Sequence, residues 1–148
     1  TFTGNTVIDG GGVSIDGSAN PTEFGTGATT VTLTNGGRLI VRSTNMDVTA
    51  GTKSFVVGAG GGTFDIASGV SVTLNDAGQF SGTGDLTKSG AGFLILGAAY
   101  TYSGANVNVT AGNLRLDSAT ALGGTGGKVI NLSGGNLQLR STATTTFG

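Results

Sequence analysis

A short phrase, glycine followed by apolar residues at alternate positions, recurs along this chain and restricts what it can fold into. Written Gly-x-Φ-x-Φ, with Φ apolar, it occurs as Gly11-Gly-Val13-Ser-Ile15, Gly37-Arg-Leu39-Ile-Val41 and Gly62-Thr-Phe64-Asp-Ile66. It continues as Gly92-Phe-Leu94-Ile-Leu96, Gly112-Asn-Leu114-Arg-Leu116 and Gly135-Asn-Leu137-Gln-Leu139. The leading glycines lie 26, 25, 30, 20 and 23 residues apart. Such intervals fit a coil of about three short strands and their turns. An antiparallel sandwich, the rival architecture, places turn signals every ~8–12 residues and explains neither the phrase nor its spacing.

Between these anchors lie further alternating runs: Val31-Thr-Leu33, Val70-Ser-Val72-Thr-Leu74, Val107-Asn-Val109 and Val129-Ile-Asn-Leu132. Period-2 alternation sends one set of side chains inward and leaves Thr, Ser or Asn outside, as in a half-buried strand. No run has helical periodicity. Turns are marked by Asp9-Gly10, Asp16-Gly17, Asn20-Pro21, Asn35-Gly36, Gly58 to Gly62, Ser89-Gly90 and Gly123 to Gly127, residues that tolerate positive φ or bond their own backbone. The pattern predicts an all-β chain: one single-stranded, right-handed parallel β-helix over residues 1–148, of about six coils of 20–26 residues each.

Composition agrees. Thirty glycines beside one proline would suggest disorder if apolar residues were lacking. Val, Ile, Leu and Phe together number 37 of 148, so the glycines serve turns. The net charge is −1, and no Lys/Arg cluster forms a stripe that could track a phosphate backbone, which argues against nucleic acid as a partner. There is no Cys for disulfides or thiolate metal sites and no His for general-base or metal-ligand roles. No stretch reaches the ~18 consecutive apolar residues of a membrane-spanning helix. The chain starts at Thr without Met, and strand-like Thr1-Phe-Thr and Thr146-Phe-Gly148 stand at its ends. A segment of a longer precursor is expected, with further coils of its own chain or identical copies stacked end to end as partners.

No catalytic, cofactor-binding or metal-binding constellation stands out. A polysaccharide-active enzyme on this scaffold would need paired carboxylates on one face. Asp9 and Asp16 each precede Gly and read as turn residues. Asp65, between Phe64 and Ile66, is expected to face solvent and to form an exposed ladder of charge with Lys88 and Arg115. Gly61-Gly-Thr-Phe-Asp65 lacks the fourth-position glycine of a calcium-binding nonapeptide, and no Gly-Lys-Ser/Thr follows it as in a phosphate cradle. Thr30, Thr32, Thr34 and Thr142 to Thr146 do not recur at one place in every coil, as an ice-binding array would require. The sequons at Asn108 and Asn131 are what chance gives in a chain this rich in Asn and Thr.

The stretch from Gly82 to Leu116 holds the clearest copies of the phrase. Its Gly82, Gly84, Leu86, Lys88, Gly90, Gly92, Leu94, Leu96, Thr101, Tyr102, Gly104, Val109, Gly112 and Leu114 fall in order on one pattern. In this it resembles the passenger-associated transport repeat, or autotransporter-associated β-strand repeat, of bacterial surface proteins. The resemblance covers residues 60 to 140 well and 1 to 59 loosely. It implies a β-helical passenger outside the cell or on the bacterial surface, with a repeat that serves secretion and folding and carries no catalysis. An adhesin that binds host protein or glycan through the rod's side is the alternative. Two departures from the family pattern, Phe93 and Ile95, stand where small polar residues are usual. By alternation both point outward, as does Ile40, and an outward apolar pair on a sheet marks a candidate protein contact. Tyr100, Tyr102 or a loop of the same chain are the alternative cover for it.

Overall fold

The computed structural model describes residues 3–16, 22–48, 53–124 and 126–140. Gly17, Asn20-Pro21, Thr142 to Thr146 and the terminal Phe2 and Phe147 lie outside those residues, as does Thr125 within the Gly123–Gly127 turn. The alternating runs form parallel strands, fifteen among the described residues, numbered here in chain order. A first sheet holds β1 (Thr6–Asp9), β3 (Thr29–Thr34), β6 (Lys53–Val57) and β9 (Phe80–Gly82). The second holds β2 (Gly12–Ile15), β4 (Gly37–Val41), β7 (Gly62–Ile66), β10 (Leu86–Ser89), β12 (Asn106–Val109) and β14 (Val129–Leu132). The third holds β5 (Met46–Val48), β8 (Ser71–Leu74), β11 (Phe93–Leu96), β13 (Asn113–Leu116) and β15 (Asn136–Leu139).

Each strand therefore pairs with the strand one coil away, and the chain is a parallel β-solenoid of about five turns. The spacing predicts six. The first coil and the last two are partial: among the described residues the third sheet begins only at β5, and the first sheet stops at β9. Where a third-sheet strand would close the first coil, a short 3-10 turn at Thr22–Phe24 drives Phe24 into the core.

The Gly-x-Φ-x-Φ phrase changes walls along the chain. Its first three copies lie on β2, β4 and β7 of the second sheet, and its last three on β11, β13 and β15 of the third. The long interval of 30 residues between Gly62 and Gly92 is that change. Outward residues that look consecutive in the phrase are thus not neighbours. Asp65 stands beside Ile40 and Ser89, while Ile95 stands beside Thr73 and Arg115.

Inward residues stack in columns, Met46–Val72–Leu94–Leu114–Leu137 and Val48–Leu74–Leu96–Leu116–Leu139 on the third sheet. Aromatic rings fill the widest part of the interior. Phe55 meets Phe64 edge-on at 5.7 Å between centroids, Phe64 meets Phe80 at 6.4 Å, and Phe80 meets Tyr100 at 5.8 Å and Tyr102 at 5.1 Å. Beyond β9 the two tyrosines, on the loop from β11 to β12, occupy the space that the first sheet vacates. At the far end the columns surface: Ile130 and Leu137 are half-buried, and Leu132 and Leu139 are exposed.

The glycines of the Gly82–Gly112 pattern sit where one coil's backbone touches the next. A Cβ on Gly84 would lie 1.8 Å from the Gly58 carbonyl oxygen. At Gly82, Gly90, Gly92, Gly104 and Gly112 it would likewise lie within 2.4 Å of a carbonyl oxygen one coil away. Gly124 has nothing within 4 Å. Gly84→Ala is therefore expected to destabilise the chain by about 3 kcal/mol or more, and Gly124→Ala by less than about 1 kcal/mol. Urea denaturation of the two variants checks the contrast; equal midpoints would mean that coil spacing does not depend on Gly84.

Candidate functional site

The outward apolar residues do not gather into one patch. Phe93 and Ile95 share β11, their side chains opposite the fully buried Leu94 and Leu96. Phe93 is half-buried, with Ser71 and Asn113 beside it in register. Ile95 is only 9% exposed, although it lies outside the main apolar cluster. Its register neighbour Arg115 is fixed by Asp117, whose carboxylate accepts from Nε at 2.7 Å and from Nη2. That hydrogen bond holds the Asp117 carboxyl below its usual range. Ile40 stands on the second sheet two coils earlier, half-buried, its Cδ1 3.5 Å from where a Cβ on Gly12 would be. Tyr100 and Tyr102 lie inside the solenoid at 5% and 1% exposure, so neither lies over Phe93 or Ile95.

The polar residues that matter most structurally point inward. Lys88, placed by the sequence reading in an exposed charge ladder with Asp65 and Arg115, is fully buried, which corrects that reading. It occupies the column Leu39–Phe64–Lys88–Val109 on the second sheet. Its Nζ leaves this apolar surround by donating to the carbonyls of Ser89 at 2.6 Å, Gly90 at 2.8 Å and, one coil on, Ala111 at 3.3 Å. Three donors meet three acceptors, which is what a buried ammonium requires. Asp65 pairs instead with Arg38, and Arg115 with Asp117. The signal was present in the sequence: Lys88 has the inward parity of Leu86.

The same device recurs. Lys53 is buried at the start of β6 and donates to Gly27 O at 2.6 Å. Lys128 donates to Gly104 O at 2.9 Å while lying 4.9 Å from the centre of the Tyr102 ring. The Tyr102 hydroxyl donates to Gly84 O at 2.8 Å and accepts from Leu86 N at 3.0 Å, and Tyr100 donates to Leu74 O at 2.5 Å. Gln79, also buried, donates to Val48 O at 2.8 Å and accepts from Asp76 N at 3.0 Å. Asn45 and Asp85 each accept a backbone N–H from the first residue of a strand one coil further, Ser71 and Asn106.

These bonds leave little chemistry free. Among the described residues no group of three or more carboxylates could hold a metal ion. A groove of about 280 Å³ runs past Thr29, Thr30, Lys53, Ser54 and Gln79. Its polar atoms are spent on the chain itself: Thr30 pairs with Ser54 at 3.0 Å, and Thr29 donates to Phe24 O at 3.0 Å.

Stacked parallel coils define a β-solenoid, and together with the similarity to an autotransporter adhesin they agree with the autotransporter passenger-repeat type. Over 104 residues, 70% of this chain, it is 38% identical to the adhesin BmaC autotransporter of Brucella suis biovar 1 (strain 1330). The chain spans 3% of that protein's length. No family model matches the chain, and no solved structure does.

The buried cations and phenols set the pH response. Burial pushes Lys88 down from 10.5 to about 8, against the pull of the nearby Asp65 carboxylate. Lys53 and Lys128 are lowered by burial too. Between these values the unfolded chain holds a proton that the folded chain has lost, so stability rises with pH through that window. Burial pushes Tyr100 and Tyr102 up from 10.0 to about 12. Above pH 10 the unfolded chain loses phenol protons that the folded chain keeps, and stability falls. Urea midpoints measured across this range should pass through a maximum near pH ~10. Lys88→Met should flatten the rising limb; an unchanged slope would place the Lys88 ammonium in solvent.

Proposed function

We propose that this chain is a non-catalytic structural stretch of the passenger of a bacterial cell-surface protein. It spaces and displays other parts of that protein and supports its secretion and folding. The observation that carries this reading is the ladder itself, six strands deep on the second sheet, with the inward-pointing Gln79, Lys88 and Tyr102 bonded to carbonyls of neighbouring coils. A surface location is supported by the similarity to an autotransporter adhesin. Along the axis its partners are further coils of its own chain or identical copies stacked end to end. The exposed Leu132 and Leu139, at 53% and 47%, and the unpaired outer edges of β14 and β15 among the described residues favour such stacking.

A second reading, adhesion to a host protein or glycan through the rod's side, is favoured by the adhesin relative and by the half-buried outward Phe93. In this reading Phe93 and Ile95 form the contact, with Ile40 as a separate lesser point. Light scattering over a concentration series, with Phe93→Asp/Ile95→Thr beside the parent chain, tests whether that strip drives lateral association. The double variant should lose association while keeping its β-sheet circular dichroism. Association unchanged in the variant would remove Phe93 and Ile95 as a contact between copies and leave the axial one.

A further inference from the structure

The sequence contains one Asn-Gly pair, Asn35-Gly36, and it lies on the exposed turn between β3 and β4. In flexible chains this dipeptide is the one most prone to spontaneous deamidation, because glycine leaves its own amide nitrogen unhindered. The Gly36 nitrogen attacks Cγ of Asn35, the new N–C bond closes a succinimide, and the Cγ–Nδ2 bond breaks with release of ammonia. Water then opens the ring to aspartate or isoaspartate. Neither an oxidant nor a cofactor is involved.

Here each reacting group is held by a different coil. The Gly36 N–H donates to Gly61 O at 3.0 Å, so the nucleophile is engaged with the third coil. Asn35 Nδ2 donates to Asp9 Oδ1 at 2.6 Å, so the leaving nitrogen is engaged with the first. Donation to a carboxylate also pushes electron density toward the amide carbonyl and makes Cγ a poorer electrophile. The Asn35 backbone is locked as well. It is the one non-glycine residue at positive φ among the described residues, at 52°, and its own N–H donates to Ala59 O at 2.8 Å. Gly60, itself at φ +75°, leaves no room for Asn35 to turn: a Cβ there would be 2.7 Å from both Asn35 Cα and Oδ1.

We infer that Asn35-Gly36 is a latent deamidation site, kept in the amide form by the stacked turns of the first three coils and released when those turns separate. The modification is self-reinforcing. An aspartate at position 35 has no Nδ2 hydrogen to give and sets a second carboxylate against Asp9, so the first coil cannot dock again as before. Isoaspartate adds a backbone atom to a turn whose register is fixed on both sides. The site thereby records, irreversibly, the separation of the first three coils at this turn.

The test is peptide mapping by mass spectrometry of the 148-residue chain after incubation in mildly alkaline buffer, with fragment ions separating Asn35 from Asn5 and Asn20 in the tryptic peptide that ends at Arg38. In the folded chain Asn35 should react at least about tenfold more slowly than in urea, since reaction then waits on local opening. Asp9→Ala should accelerate it, and Asp9→Asn, which keeps an acceptor oxygen, should restore protection. Asn35→Asp should lower amide-exchange protection in Thr6–Asp9 and leave Leu86–Leu116 unchanged. Equal rates folded and unfolded would overturn the inference, as would an Asn35→Asp variant with β1 fully protected.

Discussion

The rest of the structure depends on how closely the main chain of one coil approaches the turn of the next. Strands repeat at about 4.8 Å, and at the corners this spacing leaves no volume for a side-chain carbon. Gly84 against the Gly58 carbonyl, and Gly112 against the Gly90 and Gly92 carbonyls, are places where any other residue would force two coils apart. The glycine content thus follows from stacking rather than from flexibility. The pattern glycines all make such contacts, as do Gly37 and Gly123 outside that stretch, whereas Gly124, Gly126 and Gly127 face open space.

Close stacking creates a second demand. Corner carbonyls that point away from the strand ladders need donors, and the interior is too apolar to hold water for them. The chain meets this with long side chains that start in the core and end at a turn: Lys88 at three carbonyls, Tyr102 at Gly84, Gln79 at Val48. Lys88 reaches Ala111 on the following coil, so its charge is fully accommodated only when two coils are docked. Such groups contribute more to the uniqueness of the stacking than to its net strength, since a buried charge recovers its desolvation cost only with every partner in place.

How much of this was legible in the sequence depends on whether a strand's inward residues were apolar. Leu39-Ile-Val41, Val107-Asn-Val109 and Leu114-Arg-Leu116 announce themselves. β6 does not, because Lys53 takes an inward position and Val56 an outward one. β10 does not, because Lys88 takes the inward position that alternation gives it. β5 and β9 are three residues long, too short for a period to show. The wall change between Gly62 and Gly92 was visible only as one long interval, and its meaning needed the register. Outward Phe93 and Ile95 were read correctly as to strand and parity. The near-complete burial of Ile95 was not readable, because its neighbours Thr73 and Arg115 come from other coils.

The end of the first sheet at β9 has a mechanical consequence. Main-chain hydrogen bonds between coils run along the rod, so tension applied at its ends is borne by the walls side by side. Among the described residues three walls share the load only from β3–β5 to β9–β11; the first coil is joined by two walls, and beyond β9 two remain, with tyrosine side chains in place of the third. Each coil contacts only its neighbours, so the rungs form links in series and the weakest yields first. Extension would begin at the two-walled junctions and travel toward the aromatic-filled middle. The three-walled, aromatic-filled stretch is the part that holds longest.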